Sequence, residues 1–459
     1  MRAKKVSGVI AGAGFLGMAL VAAACGTSGV VAEPADSAST SPQPTGTTSV
    51  PATPAADAQP PPPPSRDGAP PPDGATPSDA SPDAPPDAPD AAPDGPIVAD
   101  AGPDVVVEAG SDASPPVAPA VRFVGRWDTR SAAGPRVAYP GARIIARFDG
   151  TEASVTMGNT TGFSGGPSRY DVFVDDVLDP TQLVTVVGTR TYPLATGLAA
   201  GVHKVELVKR TEGNLGVTTF MGFDFGADGT LLAPPPESTR RIEFISDSTI
   251  DGFGVEGTGP VCPAGTLEAS HSARGGFAGL TAKDVGADAI QVAYSGKGLF
   301  QNSFRPDTAT MGVLYRRALP DDASSLWNHA SFVPDVVVIS IGGTDYSASD
   351  GPPPIAQVTA KYDELVTAVR TNAPNAYIYM VIFAQIKDVF PAGYNARTNM
   401  RTIINTVIAN HAADTKLYLH EMTESVPSQE TGCSYHANPA LHRSLTNTFL
   451  PILRAQTGW

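Results

Sequence analysis

Four apolar runs set the strongest limit on what this chain can fold into: RRIEFI, DAIQVAY, DVVVISI and AYIYMVIF, which begin at residues 240, 288, 335 and 376. Each is too short for a typical helix and too continuously apolar for a strand with one wet face, which is the pattern of parallel strands covered on both sides. Stretches of helical period alternate with them. One follows Pro352-Pro353-Pro354 and places Ile355, Val358, Tyr362, Leu365, Val366 and Val369 mostly three or four residues apart. A second, from about Asn395 to His411, aligns Met400, Ile403, Ile404, Val407 and Ile408, and a third, after Pro439, carries Leu441, Leu445, Phe449 and Leu453. This alternation predicts an α/β/α domain over residues 239–459, with a mostly parallel sheet between layers of helices. In such sheets ligands bind beyond the carboxyl ends of the strands. Four polar segments fall at that rim: Ser246-Asp247-Ser248, Tyr294-Ser295-Gly296, Gly342 to Asp345, and the loop that holds His436 just before the last helix.

Ahead of residue 233 the pattern is different. ARIIARFDG, ASVTMGN, RYDVFVDD, QLVTVVG, HKVELVKR and TTFMGFDFG are short bursts separated by Gly, Asp and Pro, with no helix-length segment among them. They predict an all-β sandwich over residues 119–232, with Trp127 in its core and APPPES, residues 233–238, as a linker.

The first 118 residues are of another kind. Arg2, Lys4 and Lys5 precede an apolar run from Val9 to Val21 and then Ala22-Ala23-Ala24, the pattern of a secretory signal peptide over residues 1–24 that is too short to span a bilayer. Cys25 directly after those small residues resembles a bacterial lipobox, in which the cysteine is lipidated; a cleavable signal with an incidental cysteine is the alternative. Residues 25–118 are Ala, Pro, Asp, Ser and Thr with hardly an aromatic, a composition that cannot bury enough apolar surface to offset the entropy of ordering, so a disordered tether is expected. Its 14 acids face one base, Arg66, so it carries most of the formal charge of −15, and residues 119–459 are left with about −5. The folded part therefore has no basic excess of the kind that recognises nucleic acid. Of three cysteines, Cys262 and Cys433 remain once Cys25 is lipidated, and in an exported protein such a pair reads as a disulfide, with two free buried thiols as the alternative.

In context the four rim segments read ISDSTIDGFG, YSGKG, SIGGTDYS and GCSYHANPALH. They resemble the blocks of SGNH, or GDSL-like, hydrolases. Together with VRFVGRWDTRSAAGPRVAYPGARIIARFDGT, the β-sandwich ahead of the hydrolase domain, and FGVEGTGPVCP, the resemblance narrows to carbohydrate esterase family 2, the acetylxylan esterases, over about residues 121–455. The resemblance implies a jelly-roll-like sandwich followed by an SGNH-type hydrolase domain. It implies Ser248 as nucleophile, His436 as general base, and an oxyanion hole built from the N–H groups of Ser248 and Gly296 and from the side chain at position 344. Three positions depart from the family: Ser246 replaces glycine, Thr344 replaces asparagine, and Ser434 stands where some relatives carry an aspartate that orients the histidine. A Ser-His dyad with a backbone carbonyl behind the imidazole is the substitute that the resemblance allows. Asp247 is expected to bond backbone amides rather than react. Tyr346 and Tyr435 either stack on a sugar ring or brace the loops.

The function expected on this basis is a monomeric serine esterase, lipid-anchored in the bacterial cell envelope, that removes O-acetyl groups from plant polysaccharide or its oligosaccharides. A GDSL-type lipase or thioesterase, and a carbohydrate-binding lipoprotein without activity, are the rival readings. No His, Cys and carboxylate set has metal-ligand spacing and no glycine-rich phosphate loop follows a strand, so neither metal nor cofactor is expected.

Overall fold

The computed structural model describes residues 120–263, 265–347 and 350–459; the expected signal peptide, Cys25 and the tether lie outside the described residues. Strands between Arg122 and Leu231 form two antiparallel sheets, of seven and four strands. The larger runs Arg122–Val124, Arg143–Gly150, Gly201–Lys209, Arg169–Val174, Val177–Leu178, with two short strands at its flanks. The smaller runs Arg136–Val137, Thr218–Asp224, Ala153–Asn159, Gly188–Ala195. Along Ala153–Asn159 every second residue is buried, so Ala153, Val155 and Met157 face a core completed by Ile144, Phe148, Tyr170, Val205 and Leu207. Trp127 belongs to that core, and its Nε1 donates to the Val124 carbonyl at 3.1 Å.

The third sheet is parallel throughout, in the spatial order Asp288–Ala293, Arg241–Ser246, Val336–Ser340, Tyr377–Ile382, Leu417–Glu421. Val336–Ser340 is buried at every position, which requires cover on both faces. Two helix pairs supply it: Phe277–Val285 packs with Pro439–Thr457, and Ile355–Asn372 with Ala396–Asn410. The last helix is started by Asn438, whose Oδ1 accepts the Leu441 N–H at 3.0 Å ahead of Pro439, and ends at Gly458 with φ of 75°. The four apolar runs miss the fifth strand, Leu417–Glu421. Its place at the sheet edge leaves Tyr418, Leu419 and His420 half-buried, so it needs no continuous apolar run.

The strand Arg241–Ser246 pairs on one side with the next strand in sequence and on the other with the one after that. The chain reverses its direction of travel across the sheet at this strand, and such a switch point opens a crevice at the carboxyl end. The residues after Ser246 occupy it.

Sandwich and parallel sheet are joined through buried charge. Arg126 is fully buried, donates from Nη2 to Glu243 Oε1 at 2.8 Å and from Nη1 to the carbonyls of Tyr315 at 2.5 Å and Arg317 at 3.1 Å, and stacks over the Tyr315 ring. Glu243 sits in the middle of the switch-point strand and is itself 3% exposed. Removing one member of such a pair leaves an uncompensated buried charge. Arg126→Met is therefore expected to lower the stability of both parts by about 3–5 kcal/mol, read as a lower urea midpoint; an unchanged midpoint would refute it.

Candidate active site

Past the switch-point strand the backbone turns sharply. Ser246 is fully buried, with Oγ 3.3 Å from Thr249 Oγ1, and takes no part in the rim. Asp247 braces the turn: its Oδ1 accepts the Thr249 N–H at 3.0 Å and its Oδ2 accepts the Thr344 hydroxyl at 2.9 Å. Burial raises its pKa, and those bonds oppose the rise.

Between them, Ser248 Oγ lies 2.8 Å from His436 Nε2. The other ring nitrogen, Nδ1, faces the carbonyl oxygens of Ser434 at 3.1 Å and Cys433 at 3.2 Å. A carbonyl only accepts, so Nδ1 carries the proton and Nε2 turns its lone pair toward the serine hydroxyl. Burial pushes the imidazole down to about 4, against the pull of the two carbonyls, and Phe253 packs against the ring with centroids 4.5 Å apart. The ring is thus neutral at pH 7.

The loop that carries it is held in an unusual conformation. Ser434 and Tyr435 both have left-handed backbone, φ of 55° and 61°. The Cys433 N–H donates to the Gly254 carbonyl at 2.8 Å and the Ser434 N–H to the Pro260 carbonyl at 2.8 Å. Cys262 and Cys433 are paired, with Cα atoms 5.3 Å apart. A Cβ on Gly257 would stand 2.6 Å from the Cys433 nitrogen, so the two loops meet only because that residue has no side chain. From the other side, Gln385 donates from Nε2 to the Tyr435 carbonyl at 2.7 Å and accepts the Ala437 N–H on Oε1 at 3.1 Å, clasping the backbone on both sides of His436.

The second rim segment places Gly296 at φ of +76°, where a Cβ would meet Ser303 Oγ at 2.5 Å. Among the described residues the N–H groups of Ser248 and Gly296 donate to no protein acceptor. In the third segment, Asp345 is fully buried and accepts the N–H groups of Leu299 at 2.8 Å, Phe300 at 2.8 Å and Gln301 at 2.9 Å. Burial pushes Asp345 up to about 6 against those bonds.

Two expectations are corrected. Thr344 is not a free oxyanion donor, because its single hydroxyl proton goes to Asp247. Tyr346 cannot stack on a sugar, because it is 1% exposed in the core behind the third strand. Tyr435 is half-buried at the rim beside His436. Sequence reasoning passed over two residues here. Gln385 sits at the carboxyl end of the fourth strand, where the strand-end argument extended by one strand would have found it. Glu212 comes from the sandwich and takes both the N–H and the hydroxyl of Ser295, each at 2.5 Å; nothing in its sequence neighbourhood signals that reach. A separate groove of 370 Å³, lined by Trp127, Arg241, Asp288 and Trp327 among others, lies at the amino end of the strands and includes neither Ser248 nor His436.

Comparison with known proteins bears on both domains. The family described as Carbohydrate esterase 2 N-terminal matches residues 123–235, and the GDSL-like Lipase/Acylhydrolase family matches residues 247–444. The Cellulase/esterase CelE of Acetivibrio thermocellus is 32% identical over 342 residues, which is 74% of this chain; the chain spans 40% of that relative's length. An Acetylxylan esterase / glucomannan deacetylase of Cellvibrio japonicus is 27% identical over 350 residues, 74% of this chain and 90% of that protein. The solved structure of a family two carbohydrate esterase from Clostridium thermocellum in complex with cellohexaose is 30% identical, with a TM-score of 0.67, covering 74% of this chain and 100% of that one.

Gln385→Ala removes both contacts of the clasp. Ser248 is then expected to react with a serine-directed fluorophosphonate about tenfold more slowly, since small misplacements of catalytic groups carry large rate costs, with a nearly unchanged thermal midpoint. Labelling at the parent rate would show that the loop holds itself without the glutamine.

Proposed function

Because the chain belongs to carbohydrate esterase family 2, we propose that it is a serine esterase that removes O-acetyl groups from plant polysaccharides or oligosaccharides of the xylan and glucomannan type. The observation that carries the reading is the 2.8 Å contact between Ser248 Oγ and His436 Nε2, with Nδ1 turned to two carbonyl oxygens. In the proposed reaction Nε2 takes the Ser248 proton as Oγ attacks the acetyl carbonyl carbon. The negative charge that develops on the carbonyl oxygen is met by the N–H groups of Ser248 and Gly296. Nε2–H then protonates the departing sugar oxygen and leaves an acetyl-enzyme; water, deprotonated by the same nitrogen, attacks the acetyl carbon, and as the acyl–Oγ bond breaks Nε2–H returns the proton to Ser248 and acetate is released.

Two features set the rate expected of this dyad. Among the described residues no carboxylate faces Nδ1, so the imidazolium formed during attack is supported by the two carbonyl dipoles. Thr344 spends its proton on Asp247, and the loss of one oxyanion donor costs about 3 kcal/mol. The chemistry proceeds on two backbone donors, more slowly than with three. The proposal includes a lipid anchor at Cys25 that would hold the enzyme at the cell envelope.

The direct test uses 4-nitrophenyl acetate, butyrate and octanoate. Acetate is expected to be preferred, and Ser248→Ala to lose essentially all turnover. Equal hydrolysis of the octanoate would favour a lipase, and turnover indifferent to Ser248→Ala would sink the dyad and favour a binding protein.

The pH dependence follows from the partly buried imidazole. A base whose pKa is pushed down to about 4 is deprotonated down to that pH, so the acid limb of kcat/KM should fall near 4 rather than near the ordinary histidine value. Ser434 has the left-handed backbone that aspartate tolerates, so Ser434→Asp fits the loop. Its carboxylate would favour the imidazolium and move the acid limb upward while holding or raising the plateau. A limb that stays put in that variant would show that a carboxylate there does not reach the ring.

A further inference from the structure

The proposed oxyanion site stands on residues that the hydrolase domain does not fix alone. Its glycine, Gly296, is gripped from both ends. On the far side the Gly296 carbonyl accepts the Ser303 N–H at 2.9 Å and the Ser303 hydroxyl at 3.3 Å. On the near side Ser295 gives its N–H to Glu212 Oε2 and its hydroxyl to Glu212 Oε1, each at 2.5 Å. The peptide between Ser295 and Gly296, which bears the N–H assigned to the oxyanion in the proposed reaction, therefore lies between two anchored neighbours, and one anchor comes from the β-sandwich.

Glu212 is built for that position. It follows the strand Gly201–Lys209 and is 1% exposed. The fully buried Lys209 folds back over the same turn and donates from Nζ to the carbonyls of Thr211 at 2.6 Å and Glu212 at 3.1 Å. Gly213, the next residue, comes so close that a Cβ would lie 2.8 Å from Pro320 and 3.4 Å from the Tyr294 ring. Asp247, Asp251, Tyr294 and Lys209 are the titratable groups that act on this carboxylate and its surroundings. Burial pushes Glu212 up to about 7 against the bonds from Ser295, and its two oxygens hold Ser295 at two points.

We propose that Glu212 is a positioning residue of the oxyanion site, through which the β-sandwich fixes the peptide that presents the Gly296 N–H. The proposal rests on the esterase reading above. It makes the hydrolase domain catalytically incomplete without its neighbour, because a donor that drifts by a fraction of an ångström no longer meets the developing charge.

The test uses the full chain. Glu212→Ala is expected to lower kcat for 4-nitrophenyl acetate by about thirty- to a hundredfold while KM changes less than about threefold, and to weaken an aryl trifluoromethyl ketone, which forms an oxyanion on the nucleophile, by a similar factor. Glu212→Gln should regain most of the loss, because an amide oxygen still accepts the Ser295 N–H. A purely structural role for the charge beside Lys209 predicts no such rescue. If Glu212→Ala does not fold, Ser295→Ala removes one of the two bonds and is expected to cost about fivefold in kcat at unchanged KM. Full turnover in a folded Glu212→Ala chain, or in Ser295→Ala where the former does not fold, overturns the inference alone, as does failure of Glu212→Gln to restore it. A parent chain inert toward acetyl esters overturns the esterase reading and this inference with it.

Discussion

Everything at the site depends on how a histidine is aimed without a side-chain carboxylate behind it. His436 is oriented by the carbonyls of Ser434 and Cys433, members of its own loop, so its direction is only as firm as that loop. Two consecutive residues there adopt left-handed backbone, a conformation that costs of order 1–3 kcal/mol per non-glycine residue and persists only where the surroundings over-determine it. The surroundings do so from three directions: the turn at Gly254 and Pro260, the Cys262–Cys433 pair, and the amide of Gln385. Rigidity that a carboxylate supplies in one bond is distributed here over several backbone contacts.

The buried acids near the rim belong to the same logic. Asp247 ties the nucleophile turn to the third segment, and Asp345 ties the third segment to the loop that follows the second. Each accepts several donors in a dry environment, where such bonds are strong and a missing partner is costly. The polar ends of neighbouring strands thus brace one another, and the imidazole of His436 faces the Ser248 hydroxyl between them.

Most of the fold was legible in the sequence, because hydrophobic period reports directly on cover: continuous runs marked strands hidden on both faces, and spacings of three and four marked the three long helices. Leu417–Glu421 escaped, since an edge strand has no need of a continuous run. At the site, motif position pointed to Ser248, Gly296 and His436, and the structure brings the first and last into hydrogen-bond contact. Position says nothing of where a hydroxyl proton goes, so Thr344 was read as a free donor, and it left Tyr346 open between a sugar-stacking ring and a loop brace. Glu212 was hidden for a deeper reason. It follows the burst HKVELVKR as one more polar residue, yet it is buried, and both bonds of its carboxylate come from Ser295 in the second domain.

The Arg126–Glu243 pair has a consequence for heredity. Two charges buried across a boundary between sequence-distant segments make each segment a poor traveller: a gene fragment encoding the hydrolase half alone would bring into any new host protein a glutamate in mid-sheet with no cation to meet it. Shuffling of such modules between multidomain enzymes is expected to move the two halves as one inherited block, with recombination points falling outside the sandwich rather than at the proline-rich stretch between the halves.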